Sequence, residues 1–347
     1  MTDHQQQIES ALLAGDWDRV AAEATAWVQA VDSAGERNAR PFFALNVTQL
    51  MWGISFIAGA WKTHARSLQE PEDIEHVRAW VQQIHEQQAD NAQVQLVWGL
   101  FLAQSGQSEQ SMAVYKDVAK LAPDSAYPHY FLAQMHERAG QIEMAIKEYR
   151  EAVRLSPSFA AARTNLGVAY QEQGRLEMAI PQYREVITLN PDDPVAHANL
   201  ACALAEQGKL EPALREYKEA LRLNPNDAEI HFALAGLYEN RGRTDLAAKS
   251  YRDAVEVDPN FAAGHTALGF MALDKGRMTE AMDYFNRAIK ANPDEARAYY
   301  GVGKIYAAKG KREVAAENFA KSLRLEKNPD RKNQIMNELF QSGQVGD

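Results

Sequence analysis

Residues 160–193 read AAARTNLGVAYQEQGRLEMAIPQYREVITLNPDD, and this stretch decides the fold. Leu166 and Tyr170 in its first half, and Ala179, Tyr183 and Val186 in its second, recur at intervals of three and four. That spacing is one face of a helix, twice over. Gly174 stands between the halves, where a left-handed residue ends the first helix. Pro191 ends the second, because it lacks an N–H and disfavours helix in the residue before it. The stretch therefore predicts a helical hairpin, helix A followed by helix B.

The same punctuation extends in both directions. Glycine falls at 106, 140, 174, 208, 242, 276 and 310, and proline at 123, 157, 191, 225, 259 and 293, each series at intervals of 34 residues. Two residue types held in one register establish an internal repeat. With units numbered from Ala92, position 8 is small (Gly99, Ala133, Gly167, Ala201, Ala235, Gly269, Gly303). Position 24 is aromatic throughout: Tyr115, Tyr149, Tyr183, Tyr217, Tyr251, Phe285 and Phe319. Position 20 is alanine apart from Ser111, and position 27 is small or β-branched, ending at Ser322. Small residues let the paired helices approach closely, and the ring fills the space between them. One hairpin cannot bury its apolar face, so stacking must supply a continuous core.

Leu166-Gly167, Tyr170, Gly174, Ala179, Tyr183 and Pro191 resemble the tetratricopeptide repeat (TPR) signature, and the same columns hold over residues 92–327. The tryptophan usual at position 4 is replaced by Gln95, His129, Arg163, His197, His231, His265 and Tyr299. The resemblance implies an all-α fold, a right-handed α-solenoid of antiparallel helix pairs forming a superhelix. It predicts an irregular helical cap over 1–91, seven repeats over 92–327, and a capping helix with a tail over 328–347. In that last segment Ile335, Met336, Leu339 and Phe340 keep helical spacing.

Composition agrees with a folded chain. Of 347 residues, 46% are hydrophobic and 24% charged, outside the range of disordered sequences. One cysteine, Cys202, excludes a disulfide framework and fits a reducing compartment, so a cytoplasmic location is expected. The N-terminus lacks a basic and an apolar region, so no secretory signal is expected. The net charge of −10 disfavours nucleic acid as a partner. The charge is uneven: residues 1–91 carry 6 basic and 13 acidic side chains, whereas residues 296–332 carry 10 and 4. Opposite ends of opposite sign predict weak head-to-tail self-association.

Pro41 to Trp61 is a run without charge, but only 14 of its 21 residues are apolar, with Asn46, Thr48 and Gln49 inside it. A membrane span needs about 20 predominantly apolar residues, so the run is read as a buried helix of the cap. A membrane-associated assembly or chaperone-like factor for a larger complex, anchored through 41–61, is the alternative to a soluble scaffold.

Nothing in the sequence carries catalysis. Gly301-Val302-Gly303-Lys304 lacks the rest of a phosphate loop, and no Gly-x-Ser-x-Gly elbow occurs. The position-4 histidines sit one per repeat. Neighbouring helices lie about 8–10 Å apart, while zinc holds nitrogen at about 2 Å, so this column predicts packing and no metal site. Carboxylates such as Glu148, near Arg154, read as helix-supporting surface charges. No enzyme activity, cofactor or metal is expected.

The resemblance implies that positions 2, 5, 9, 12 and 13 of helix A line a concave groove where partners lie. The candidate partner-binding residues are Tyr127, Tyr130, Gln134, Asn165, Val168, Asn199, Cys202, Phe232, Phe270 and Tyr300, with an acidic margin at Glu172, Glu206 and Glu239. An apolar strip with acids beside it suits an amphipathic or extended peptide carrying Lys or Arg. Two variants of the family can be compared by residue. The carboxylate clamp of heat-shock chaperone adaptors is absent, because no three consecutive repeats supply its Lys and Asn set. The asparagine ladder of O-GlcNAc transferase superhelices survives only at Asn165 and Asn199. The sequence thus predicts a non-catalytic protein–protein interaction scaffold.

Overall fold

The computed structural model describes residues 89–343, together with Gln82 and Glu86. The expected N-terminal cap, including 41–61, thus lies almost wholly outside the described residues. The chain divides into two compact units, Met1–Pro157 and Ser158–Asp347. Among the described residues every regular element is a helix. The first unit holds α1 (Ala92–Gln104), α2 (Ser108–Leu121), α3 (Tyr127–Arg138) and α4 (Ile142–Leu155). The second holds α5 (Ala160–Glu172), α6 (Leu176–Leu189), α7 (Pro194–Glu206), α8 (Leu210–Leu223), α9 (Ala228–Asn240), α10 (Thr244–Val257), α11 (Ala262–Asp274), α12 (Met278–Ala291), α13 (Ala296–Ala308), α14 (Arg312–Leu325) and α15 (Pro329–Gly343). No described helix is long and apolar enough to cross a membrane.

Helices pair in the order of the sequence. Within each unit, helix A packs on the B that follows it, and each B packs on the next A. The A-to-B turn is fixed by backbone hydrogen bonding. At its midpoint Gly208 adopts φ +80°, its N–H donates to the Ala205 carbonyl at 2.9 Å, and the Lys209 N–H reaches back to the Leu204 carbonyl at 2.8 Å. This is the glycine-closed helix end that satisfies the last carbonyls of helix A. All seven repeat glycines share the positive φ. Two helix A starts are capped by an aspartate. Asp193 accepts from the Val195 and Ala196 N–H groups, and Asp227 from Ile230.

The core forms where the position-24 ring meets helix A. Tyr115, Tyr149, Tyr183, Phe285 and Phe319 are essentially inaccessible to solvent. A Cβ added to Gly167 would lie 2.5 Å from Tyr183 Cε1, and one on Gly303 would lie 2.6 Å from Phe319 Cε1. The ring edge therefore occupies the space of the missing side chain. The two serines that interrupt the small apolar columns are buried without penalty. Ser111 Oγ donates to the Gly99 carbonyl and Ser322 Oγ to the Ala296 carbonyl, each at 2.7 Å.

Two substitutions separate backbone strain from packing. A Cβ at Gly208 meets nothing within 4 Å, so Gly208→Val should cost about 1–3 kcal/mol through its positive φ alone. Gly167→Ala gains about 1 kcal/mol of helix propensity, yet drives into the Tyr183 ring and should still destabilise. Melts followed by circular dichroism should shift down for both. Because a stack couples only neighbouring repeats, Gly208→Val should also broaden the transition or split it. A single unshifted transition would contradict the turn argument.

Candidate partner-binding face

The candidate residues divide between the two units. In the first, Tyr127 and Tyr130 are half-buried on α3 and pack on the cluster of Leu96, Tyr115, Phe131 and Met135. Gln134 Nε2 donates to the Tyr130 hydroxyl at 3.0 Å. The Tyr130 ring also leans on Tyr149, 6.0 Å between centroids.

In the second unit Asn165 and Val168 lie on α5, Asn199 and Cys202 on α7, Phe232 on α9 and Phe270 on α11, all half-buried. The remaining exposure of the aromatics is one-sided. Phe232 stacks within 5.2 Å of Tyr251 and 5.4 Å of Phe261, and Phe270 within 5.0 Å of Phe285. These rings belong partly to the core and offer a single face outward. Cys202 sits among Gln171, Glu206 and Tyr217, and burial pushes its thiol up, so it stays protonated rather than nucleophilic.

The acidic margin differs from the expectation. Glu172 is exposed. Glu206, also exposed, accepts from Gln171 Nε2 at 2.6 Å, while Gln171 Oε1 takes the Tyr183 hydroxyl at 3.0 Å. Glu239 takes the Tyr251 hydroxyl at 2.8 Å, and Glu137 takes that of Tyr149 at 2.7 Å. Two of the three acids predicted to face a partner are therefore already engaged within the stack. The columns carried only part of this signal. Position 12 is Glu137, Gln171 and Glu239 opposite Tyr149, Tyr183 and Tyr251, but Ala103 and Ala205 opposite Tyr115 and Tyr217, and Leu273 and Ala307 opposite Phe285 and Phe319.

Tyr300 is also committed elsewhere. It packs against the cluster of Ala315, Phe319 and Ile335, its hydroxyl lies 3.3 Å from Glu338 Oε1, and Gln334 Nε2 donates to it at 3.0 Å. Burial, with the Glu338 carboxylate adding to it, pushes the phenol up to about 12. The residue read as groove lining is thus a seat for α15. Cations cover what remains of this end. Arg297 lies 5.4 Å above the Phe270 ring and Lys304 5.7 Å above Tyr300.

The position-4 histidines do more than pack. His197, His231 and His265 direct Nε2 at the carbonyls of Pro191, Pro225 and Pro259, at 3.1, 3.0 and 2.9 Å. Each ties a helix A to the proline that closes the preceding repeat. Nδ1 of His129 and of His197 meets a position-23 carboxylate, Glu148 and Glu216 respectively, both at 2.7 Å. Glu148 is therefore not a surface partner of Arg154. That arginine bonds Glu151 instead.

The comparisons agree with this geometry. The TPR repeat family matches residues 138–174 and 202–242, and two further tetratricopeptide repeat families match 160–193, 237–295 and 272–331. Together these matches span more than half of the chain, which belongs to the tetratricopeptide repeat family. A tetratricopeptide repeat protein from Parabacteroides merdae is similar in structure, with 17% identity, 72% of this chain and 98% of that one covered, and a TM-score of 0.60. PilF of Pseudomonas aeruginosa matches at 22% identity over 60% of this chain and 94% of its own, with a TM-score of 0.52. The Cut9–Hcn1 hetero-tetramer of the APC/C supplies a third match, at 16% identity, 78% and 52% coverage, and a TM-score of 0.56. At these identities the likeness shows the fold alone. No curated protein matches the chain.

The pairing of His129 with Glu148 has a pH signature. The histidine hydrogen bond, the largest influence, holds the Glu148 carboxyl below its ordinary value of 4.5. A carboxyl depressed in the folded state contributes stability above its unfolded pKa and loses it as the pH falls through the folded one. Glu148→Gln should therefore lower stability at neutral pH and shrink the gap to wild type below the ordinary carboxylate range. Urea unfolding at a series of pH values measures this, and a gap independent of pH would exclude the assignment.

Proposed function

We propose that this chain is a non-catalytic interaction scaffold that binds a peptide or protein segment along the helix-A faces of α5, α7, α9 and α11. One observation carries the reading. The core columns of these repeats are closed, yet Asn165, Val168, Asn199, Cys202, Phe232 and Phe270 keep part of their surface open on consecutive A helices. Val168 and Phe232 offer apolar contact, Arg297 over the Phe270 ring adds a cationic edge, Asn165 and Asn199 add amides, and exposed Glu172 offers a site for a partner lysine or arginine. Membership in the tetratricopeptide repeat family supports a scaffold role, and the single cysteine fits work in the cytoplasm.

A partner backbone crossing α5 and α7 would exchange hydrogen bonds with the two asparagine amides, each worth about 0.5–1.5 kcal/mol. Affinity capture with wild-type and Asn165→Ala/Asn199→Ala protein, read by mass spectrometry, should identify a partner depleted by the variant. Titration of that purified partner should then show binding weakened by about 1–3 kcal/mol in total. Melting temperature controls for folding. Unchanged binding by a folded double variant would remove the asparagines from the site.

A further inference from the structure

The hairpin topology puts all A-to-B turns of the second unit along one edge, and that edge becomes basic toward the C-terminus. Three successive turns carry a cation on both sides of the glycine: Arg241-Gly242-Arg243, Lys275-Gly276-Arg277 and Lys309-Gly310-Lys311. The preceding turns, Gln173-Gly174-Arg175 and Gln207-Gly208-Lys209, carry one each. Within the ladder Arg241 pairs with Glu211 and Arg277 with Glu280. Arg243, Lys275, Lys309 and Lys311 are exposed and have no ion-pair partner among the described residues.

Helix stability does not account for these residues. Arg243, Arg277 and Lys311 occupy the N-cap positions of α10, α12 and α14, and none makes a side-chain capping bond. An N-cap favours Ser, Thr, Asp or Asn, and the helix dipole disfavours positive charge there. Acids in the first turns, Asp245, Glu280 and Glu313, only partly offset this. On the opposite edge two helix starts, α7 and α9, carry the capping aspartates Asp193 and Asp227, and none carries a cation at its N-cap. A cation stands at the helix-B N-cap from Arg175 onward, and in the last three turns a second one joins it across the glycine.

The same chain supplies a match. Residues 1–36 contain seven acidic side chains and one arginine, and residues 70–90 contain six acids and one arginine. The two regions are opposite in sign, so each copy carries both halves of a contact with another copy. We propose that the basic turn ladder of α9–α14 docks the acidic N-terminal segment of a second copy of this chain. The contact is heterologous, head to tail, and can extend beyond a dimer. It uses an edge separate from the helix-A face, so either surface can fail without the other.

Sedimentation velocity of the full chain over a concentration series tests it. At about 10 mM salt the Debye length is roughly 30 Å, against roughly 8 Å at physiological ionic strength. The weight-average mass should rise above the 38.8 kDa monomer with concentration at low salt and return to it as salt is added. Lys275→Glu/Lys309→Glu/Lys311→Glu should stay monomeric, and so should Asp16→Lys/Asp18→Lys/Glu23→Lys, with helix content checked by circular dichroism. Mixing the two reversed variants should restore the larger species, because both charges of the contact are then exchanged. Wild type that stays monomeric at low salt and high concentration overturns the proposal. So does association that survives in both variants, or mixing that fails to restore it when both are folded.

Discussion

The stack depends on one contact, an aromatic ring pressed against a helix that presents only glycine or alanine to it. Tyr183 against Gly167, Phe285 against Gly269 and Phe319 against Gly303 all bring ring carbon closer than any Cβ would permit. This close approach sets the distance between helices A and B, and with it the placement of every other side chain in the hairpin. The phenols add direction. In three repeats the ring, fixed by packing, brings its hydroxyl to Glu137, Gln171 or Glu239 on the facing helix. Packing sets the spacing, and a hydrogen bond then locks the rotation.

Most of the fold was legible because a 34-residue period repeats the same physical problem. Glycine at each A-to-B turn, proline after each helix B and an aromatic at position 24 specify helix ends and core without any long-range information. The side chains of the candidate face were less legible, and Tyr300 shows why. Its periodic position places it with the groove residues, but it lies in the last repeat, where α15 replaces a further helix A and takes its hydroxyl. Periodicity describes an interior repeat and misreads a terminal one. Glu206 and Glu239 each carry a bond that the sequence did not show. A carboxylate on an exposed register looks free until its acceptor capacity is matched with a phenol or an amide on another helix. The column of histidines was read as packing for the same cause, since the carbonyl it meets belongs to the preceding proline and leaves no trace in composition.

Charge follows a separate logic from packing. Asp193 and Asp227 cap two helix A starts, whereas from Arg175 onward a cation stands at the start of each helix B, just before that helix's first-turn acid. A stack built from near-identical hairpins could have repeated one charge pattern from end to end. Here the aromatic columns stay constant while the turn residues change from neutral at Ser105 and Ala139 to doubly basic at Lys309 and Lys311. The interior is therefore periodic and the edge is graded, so position along the array is written in electrostatics alone.

The histidine-to-proline bonds have a consequence for where one building block stops and the next begins. His197, His231 and His265 each hold the closing carbonyl of the repeat before them. The sequence motif runs from helix A to proline, but the mechanically joined element runs from one helix B across its proline into the following helix A. These two partitions of the same chain are offset by half a period, like overlapping shingles. Helix α9 shows the result: His231 ties it to the repeat before, while Glu239 accepts from Tyr251 of the helix after, so neither the proline nor the glycine turn is a seam.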